Sequence, residues 1–229
     1  MAPAAGTRRP TDSVVRTNIL ELKTTGWTRV EGISSPAALL ELGRTLGCPV
    51  PSPNGEMVKE ISVSAAATAL PGSQSALHGR GPFPLHTDTV FWPLPVRYVL
   101  LRGTGDTRRP TTVLSFERLI ERCDERIAKL AGRSIWLAGA KVKPFYCSLK
   151  FRHGGSVGWR YDRDNMSPVN EAAREVDEAL RPLTHASIGE TIHWTGDTAV
   201  ILSNWHVLHG RGPEPQDEGA RVIERLYVR

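Results

Sequence analysis

The last ten residues, ARVIERLYVR (220–229), alternate without a break. On an extended strand Arg221, Ile223, Arg225 and Tyr227 fall on one side, and Val222, Glu224, Leu226 and Val228 on the other. A cation turned inward on such a strand needs an anion as partner. Two more runs, RYVLLRG (97–103) and DTAVILSN (197–204), are apolar and rich enough in β-branched or aromatic residues for buried strands. Helical patterns are few. SSPAALLELGRTLGC predicts one helix, with Ser35 as cap, Pro36 in the first turn and Gly47 as stop. SFERLIERCDERIAKLAG predicts a second, from a Ser115 cap to Gly132, with Phe116, Leu119, Ile120, Cys123, Ile127 and Leu130 as its stripe. SPVNEAAREVDEALRP predicts a third, with Pro168 near its start and Pro182 beyond its end. Many short strands with Gly and Pro at the joints imply a mainly β fold, a barrel or double-sheet jelly roll with helices packed outside.

No linker breaks the chain, so residues 14–229 are expected to form a single domain behind a flexible tail at 1–13. A formal charge of +5 and a pI near 9.4 suit anionic small molecules or nucleic acid. The basic residues are scattered, and no concentrated stripe of the kind that tracks a nucleic-acid backbone is present. Cys48, Cys123 and Cys147 lack CxxC spacing, which argues against a disulfide framework or a zinc knuckle and for a reducing cytoplasm. The first residues lack the apolar core of a signal peptide, and no run is long enough to span a membrane.

The chemistry-bearing stretch is PFPLHTDTVFWP (82–93). On a strand, His86 and Asp88 would face one cavity and could share a metal; an ordinary His–Asp hydrogen bond on an exposed edge is the other reading of that spacing. GDTAVILSNWHVLHGRGP places His209 at the end of a strand 123 residues later, and Arg221 lies twelve residues beyond it. Two imidazoles and one carboxylate form the facial set that leaves iron(II) open positions. A guanidinium on the next strand offers a bidentate contact to the far carboxylate of a diacid. His206, three residues from His209, falls on the opposite face and reads as structural. His78, His153, His185 and His193 have no partner at ligand spacing. The pentapeptide HGRGP recurs at 78–82 and 209–213 without flanking similarity, and reads as a chance echo.

LHTDTVFWPLPVRYVLLRG, GDTAVILSNWHVLHGRGP and RVIERLYV together resemble the taurine dioxygenase/clavaminate synthase superfamily of iron(II)/2-oxoglutarate-dependent oxygenases, over residues 80–229. RYDRDNMSPVNEAAREVDEAL is similar to the corresponding segment of amino-acid hydroxylases in that group. The resemblance implies a double-stranded β-helix (a cupin-like jelly-roll barrel). It implies His86, Asp88 and His209 as iron(II) ligands, and O2 and 2-oxoglutarate as cosubstrates. It implies Arg221 on the 2-oxoglutarate side-chain carboxylate, with Thr112, or else Thr111, beside it. Where the family has a glycine pair before that threonine, this chain has Arg-Pro. Arg225 is placed to meet an anionic group of the primary substrate, or an acid in a salt bridge. Halogenating relatives carry a small residue where Asp88 stands, so hydroxylation or a related C–H oxidation is expected over chlorination. FRHGGSVGWRYDRDNM (151–166) reads as a mobile specificity loop, with Arg160 and Asp162 clamping the ends of an amino acid, or as a plain solvated loop. Trp92, on the His86 face if the strand continues, reads as a pocket wall or a core aromatic. The expected substrate is a small amino-acid-derived or natural-product molecule. The alternatives are a carrier-tethered or nucleic-acid substrate, or a barrel that binds a ligand without catalysis.

Overall fold

A computed structural model of the chain describes residues 20–62, 68, 74–104, 109–140, 143–185, 187–212 and 222–229. The tail expected at 1–13, and Arg221, lie outside these. The architecture is mostly β-sheet with a few helices. The larger sheet runs β1 (Trp27–Glu31), β13 (Thr198–Ser203), β5 (Tyr98–Thr104), β15 (Val222–Val228) and β2 (Pro49–Val50), and β3 (Val58–Ser62) also pairs with β15. The smaller runs β12 (Glu190–Ile192), β6 (Thr111–Ser115), β14 (Val207–Arg211) and β4 (Phe83–His86). Among the described residues these sheets do not close into a barrel. A three-stranded sheet holds β7 (Trp136–Ala138), β8 (Phe145–Cys147) and β11 (Met166–Pro168), and β9 (Lys150–His153) pairs with β10 (Ser156–Trp159) as a hairpin.

Alternation sorts the side chains into three layers. Val99, Leu101, Val113, Val200, Val207 and Ile223 come from both large sheets and form one cluster between them. Leu100, Ile201, Leu226 and Val228 point outward from the larger sheet and are covered by Leu39 and Leu42 of α1 (Pro36–Leu46). Leu85, Leu114 and Leu208 point outward from the smaller sheet, under α3 (Phe116–Glu121), α4 (Glu125–Ala131) and α5 (Glu171–Leu183). A short helix, α2 (Gln74–His78), precedes β4.

α1 begins and ends where the sequence predicts: the Ser35 side chain accepts from Ala38 N, and Gly47 follows the last residue. The stripe over 115–132 is not one helix but two. Asp124 caps the second, its Oδ1 accepting from Ile127 N at 2.8 Å, and this competes with continuation of the first. In the third helix the cap is Asn170; Pro168 ends β11, and Pro182 sits inside the last turn rather than beyond it. Residues 151–166 are not a free loop. They form the β9–β10 hairpin and then a buried segment, Arg160 to Asp162, that packs against the smaller sheet's end. The three cysteines are free, and among the described residues no helix is long and apolar enough to cross a membrane.

Candidate metal centre

His209 lies on β14 with Val207, facing between the sheets, while Leu208 faces out. β14 pairs with β4, and the register sets His209 opposite His86. The close approach is tight: a Cβ on Gly210 would stand 2.4 Å from the Phe83 carbonyl oxygen. β4 ends at His86, so Asp88 is not on the strand as the His-x-Asp spacing suggests. It sits in the turn that follows. That turn is built by polar contacts. Asn204, fully buried, accepts from Asp88 N (2.9 Å) and donates to the carbonyls of Asp88 (3.1 Å) and Val96 (2.9 Å). Thr89 holds a positive φ of 58°, costly for a β-branched residue, and its hydroxyl accepts from Val96 N at 2.9 Å. Between the two acidic and imidazole positions, Thr87 N donates to Tyr161 O, and Tyr161 N donates back to the Thr87 hydroxyl.

The result is a buried cluster. His86 Nε2 lies 3.5 Å from Asp88 Oδ1, and His209 Nε2 lies 3.5 Å from Asp88 Oδ2. One ligand atom from each residue falls within 4.8 Å of the other two. His86 Nδ1 donates to the Pro84 carbonyl at 3.0 Å, which leaves the Nε2 lone pair turned toward Asp88. Arg225 Nη1 stands 3.3 Å from each Asp88 oxygen. Burial works to raise the Asp88 carboxyl, but the Arg225 charge and the two imidazoles outweigh it, and the group lies well below the usual carboxylate range. Burial lowers His209. For His86 the same burial is outweighed by Asp88 and Asp162, so His86 is raised. Two imidazoles and an ionised carboxylate suit a divalent transition metal such as iron(II), and all three side chains line a cavity of about 380 Å³. That volume lies at the small end of the range for ligand sites.

Ile223, Arg225 and Tyr227 line this cavity together from β15. Asp162 lines it from the other side, with Asn165 Nδ2 and Asp164 N donating to it; burial raises its carboxyl despite these bonds and the nearby His86. Arg160 is not brought there. Its guanidinium donates to the carbonyls of Trp92 and Pro93 and lies over Phe151. Trp92 is not on the His86 face either, because the chain leaves the strand; it packs against Tyr227 and Arg229 outside the cavity. Both threonines of β6 are buried. The register sets Val113 against His209, so Thr111 shares the inner face and Thr112 the outer. His206 stands exposed in the turn before β14, and His78 Nε2 pairs with Asp164 at 2.8 Å. The described part of the second HGRGP segment, 209–212, meets the first through Arg211, which donates to the carbonyls of Gly79 and Gly81. Tyr227, Asn204 and Lys59 also belong to this region and escape a reading for ligand types. Asn204 works through backbone groups, and Lys59 sits in a strand, VKEIS, with no clear apolar alternation.

No protein-family model and no curated protein matches the chain. Solved structures do, and three of them are described as oxygenases. Asparagine oxygenase, in complex with Fe(II), (2S,3S)-3-hydroxyasparagine and succinate, superposes with a TM-score of 0.75 at 16% identity, covering 95% of this chain and 79% of that one. PvcB of Pseudomonas aeruginosa, an Fe, α-ketoglutarate-dependent oxygenase from an isonitrile synthetic pathway, gives 0.68 at 17%, covering 93% and 79%. OrfP, in complex with Fe and α-ketoglutaric acid, gives 0.68 at 19%, covering 95% and 80%. The chain shares the fold of these oxygenases.

Proposed function

We propose that the chain is an iron(II)/2-oxoglutarate-dependent dioxygenase that hydroxylates a C–H bond of a small amino acid or amino-acid-derived substrate. The convergence of His86, Asp88 and His209, remote in sequence, on one buried point at the cavity carries this reading. In it, residues 14–229 act as a single domain, and the two large sheets are the halves of a double-stranded β-helix. The metal, with 2-oxoglutarate and O2, supplies oxidation of an unactivated C–H bond, the keto acid leaving as succinate and carbon dioxide.

The protein's part is placement. His86, Asp88 and His209 hold the metal, and the Pro84 carbonyl fixes the His86 tautomer. Arg221 takes the 2-oxoglutarate side-chain carboxylate, and Thr111, on the inner face of β6, takes the part first assigned to Thr112. Arg225 takes the substrate carboxylate, and Asp162, across the cavity, takes its amino group. Asparagine and arginine derivatives bound to the solved oxygenases support an amino-acid substrate here, and a cavity of about 380 Å³ favours a small molecule over a polymer.

The test is iron(II) binding by calorimetry, followed by succinate production from 2-oxoglutarate against the free amino acids. The wild type is expected to bind one iron(II) and to show amino-acid-stimulated turnover, and Asp88→Gly to lose both. Full turnover in that variant, or a wild type that takes no iron, would overturn the reading.

A further inference from the structure

Two cations face each other across neighbouring strands inside the cavity. Arg225 on β15 is in direct register with Lys59 on β3, and Ile223 with Ile61. All four line the cavity, so this ladder presents one face to it. Directly opposed residues of an antiparallel pair hold their Cβ atoms ~4.5–5.5 Å apart, and like charges at that separation repel. Little on the protein offsets them. Arg225 reaches Asp88, but its Nε has no hydrogen-bond partner among the described residues. The Lys59 side chain has neither an ion pair nor a hydrogen bond among them. Asp88 is also the carboxylate the metal site uses, so a bound cation there leaves this end of the cavity still shorter of negative charge. The other cavity carboxylate, Asp162, is held by Asn165 and the Asp164 amide.

We infer that Lys59 and Arg225 together bind one carboxylate of a small organic acid. The guanidinium supplies a planar fork, and the ammonium supplies a second point charge from the adjacent strand. Lys59 is then a ligand-binding residue in its own right. On the oxygenase reading, on which this rests, that acid is the amino-acid substrate, and 2-oxoglutarate is the other outcome the test distinguishes.

The experiment compares wild type, Lys59→Gln and Lys59→Arg by anaerobic calorimetry on the iron(II)-loaded protein. One arm titrates 2-oxoglutarate; the other titrates the free L-amino acids with 2-oxoglutarate present. Glu60→Gln, on the exposed opposite face of β3, controls for the strand itself. Expected is at least a tenfold loss of affinity in Lys59→Gln for one carboxylate ligand, largely restored in Lys59→Arg and absent in Glu60→Gln. Loss in the amino-acid arm assigns the cradle to the substrate, and loss in the 2-oxoglutarate arm to the cosubstrate. A Lys59→Gln protein that binds 2-oxoglutarate and every amino acid bound by the wild type with unchanged affinity overturns the inference. A wild type that takes no iron overturns the oxygenase reading instead. Succinate binding to that metal-free protein, tenfold weaker in Lys59→Gln, would leave the cradle standing, and equal binding would remove it.

Discussion

Asn204 does for the Asp88 carboxylate what a strand would have done had Asp88 been on one. Its single side chain satisfies the Asp88 amide, the Asp88 carbonyl and the Val96 carbonyl, closing the loop from 88 to 96 from inside. Each of those backbone groups is expensive to bury unpaired. Asn204→Ala is expected to lower stability by about 3 kcal/mol, taking roughly 1–3 kcal/mol for each group left unsatisfied with partial relaxation. It should weaken iron(II) binding by ~10–100-fold, as loss of outer-shell support usually does. Asn204→Asp keeps an acceptor for the Asp88 amide but cannot donate to either carbonyl, so it should rescue little. Denaturant unfolding gives the first quantity and metal titration the second. Unchanged iron affinity in a folded Asn204→Ala protein would show that the turn holds itself. The sequence shows His86, Asp88 and His209 because they are the residue types that bind metals. It hides Asn204 because an amide reading backbone groups leaves no periodic trace, and it hides the turn because His-x-Asp looks the same on a strand as beside one.

At the level of elements, the site is made by pairing β4 with β14 rather than by either strand alone. The register brings His86 against His209, and it tolerates no side chain at position 210. A Cβ there would meet the carbonyl oxygens of Phe83 at 2.4 Å and Pro84 at 3.0 Å, and the latter also accepts from His86 Nδ1. Backbone cannot step aside as a flexible side chain does. Gly210→Ala is therefore expected to push β4 off β14, costing about 1–3 kcal/mol as overpacking does, and to cut iron(II) affinity by more than its effect on global stability predicts. Melting temperature and metal titration measured together check this; a variant that binds iron normally would show that the strands repack without loss. The longer elements were legible for a simple reason: Ser35, Pro36 and Gly47 mark α1 with cap chemistry, a continuous apolar run marks β13, and alternation marks β15. The 115–132 stripe misleads because hydrophobic spacing continues through the break. Asp124, the residue that caps the second helix, reads as an ordinary surface acid within the pattern.

Over the whole molecule, the outer helices are tied to the site through Tyr161. Its ring packs edge-on to Trp136 in the outer cluster, and its hydroxyl donates to Asp177 of α5 at 2.9 Å. Its backbone exchanges two hydrogen bonds with Thr87, between His86 and Asp88, and so delivers Asp162 to the cavity. Burial, followed by the Asp177 carboxylate, holds the phenol far above the ordinary tyrosine range. The sign of the consequence is fixed by linkage. Above about pH 10 the unfolded chain releases this proton while the folded chain keeps it, so folding becomes less favourable as pH rises, by up to ~1.4 kcal/mol per pH unit. Below that pH the contribution is fully present. Tyr161→Phe removes the hydroxyl but leaves Asp177 with Arg181 Nε at 2.6 Å, so it should cost about 1–2 kcal/mol at pH 8. The gap between variant and wild type should then narrow between pH 10 and 11, because the variant lacks this one titration. Iron(II) affinity should stay within a few-fold, since the bonds from Thr87 run to backbone atoms that phenylalanine keeps. Urea unfolding at pH 8, 10 and 11 measures the gap; one that widened with pH would mean that the phenol ionises more readily in the folded chain than in the unfolded one, which its burial beside a carboxylate forbids.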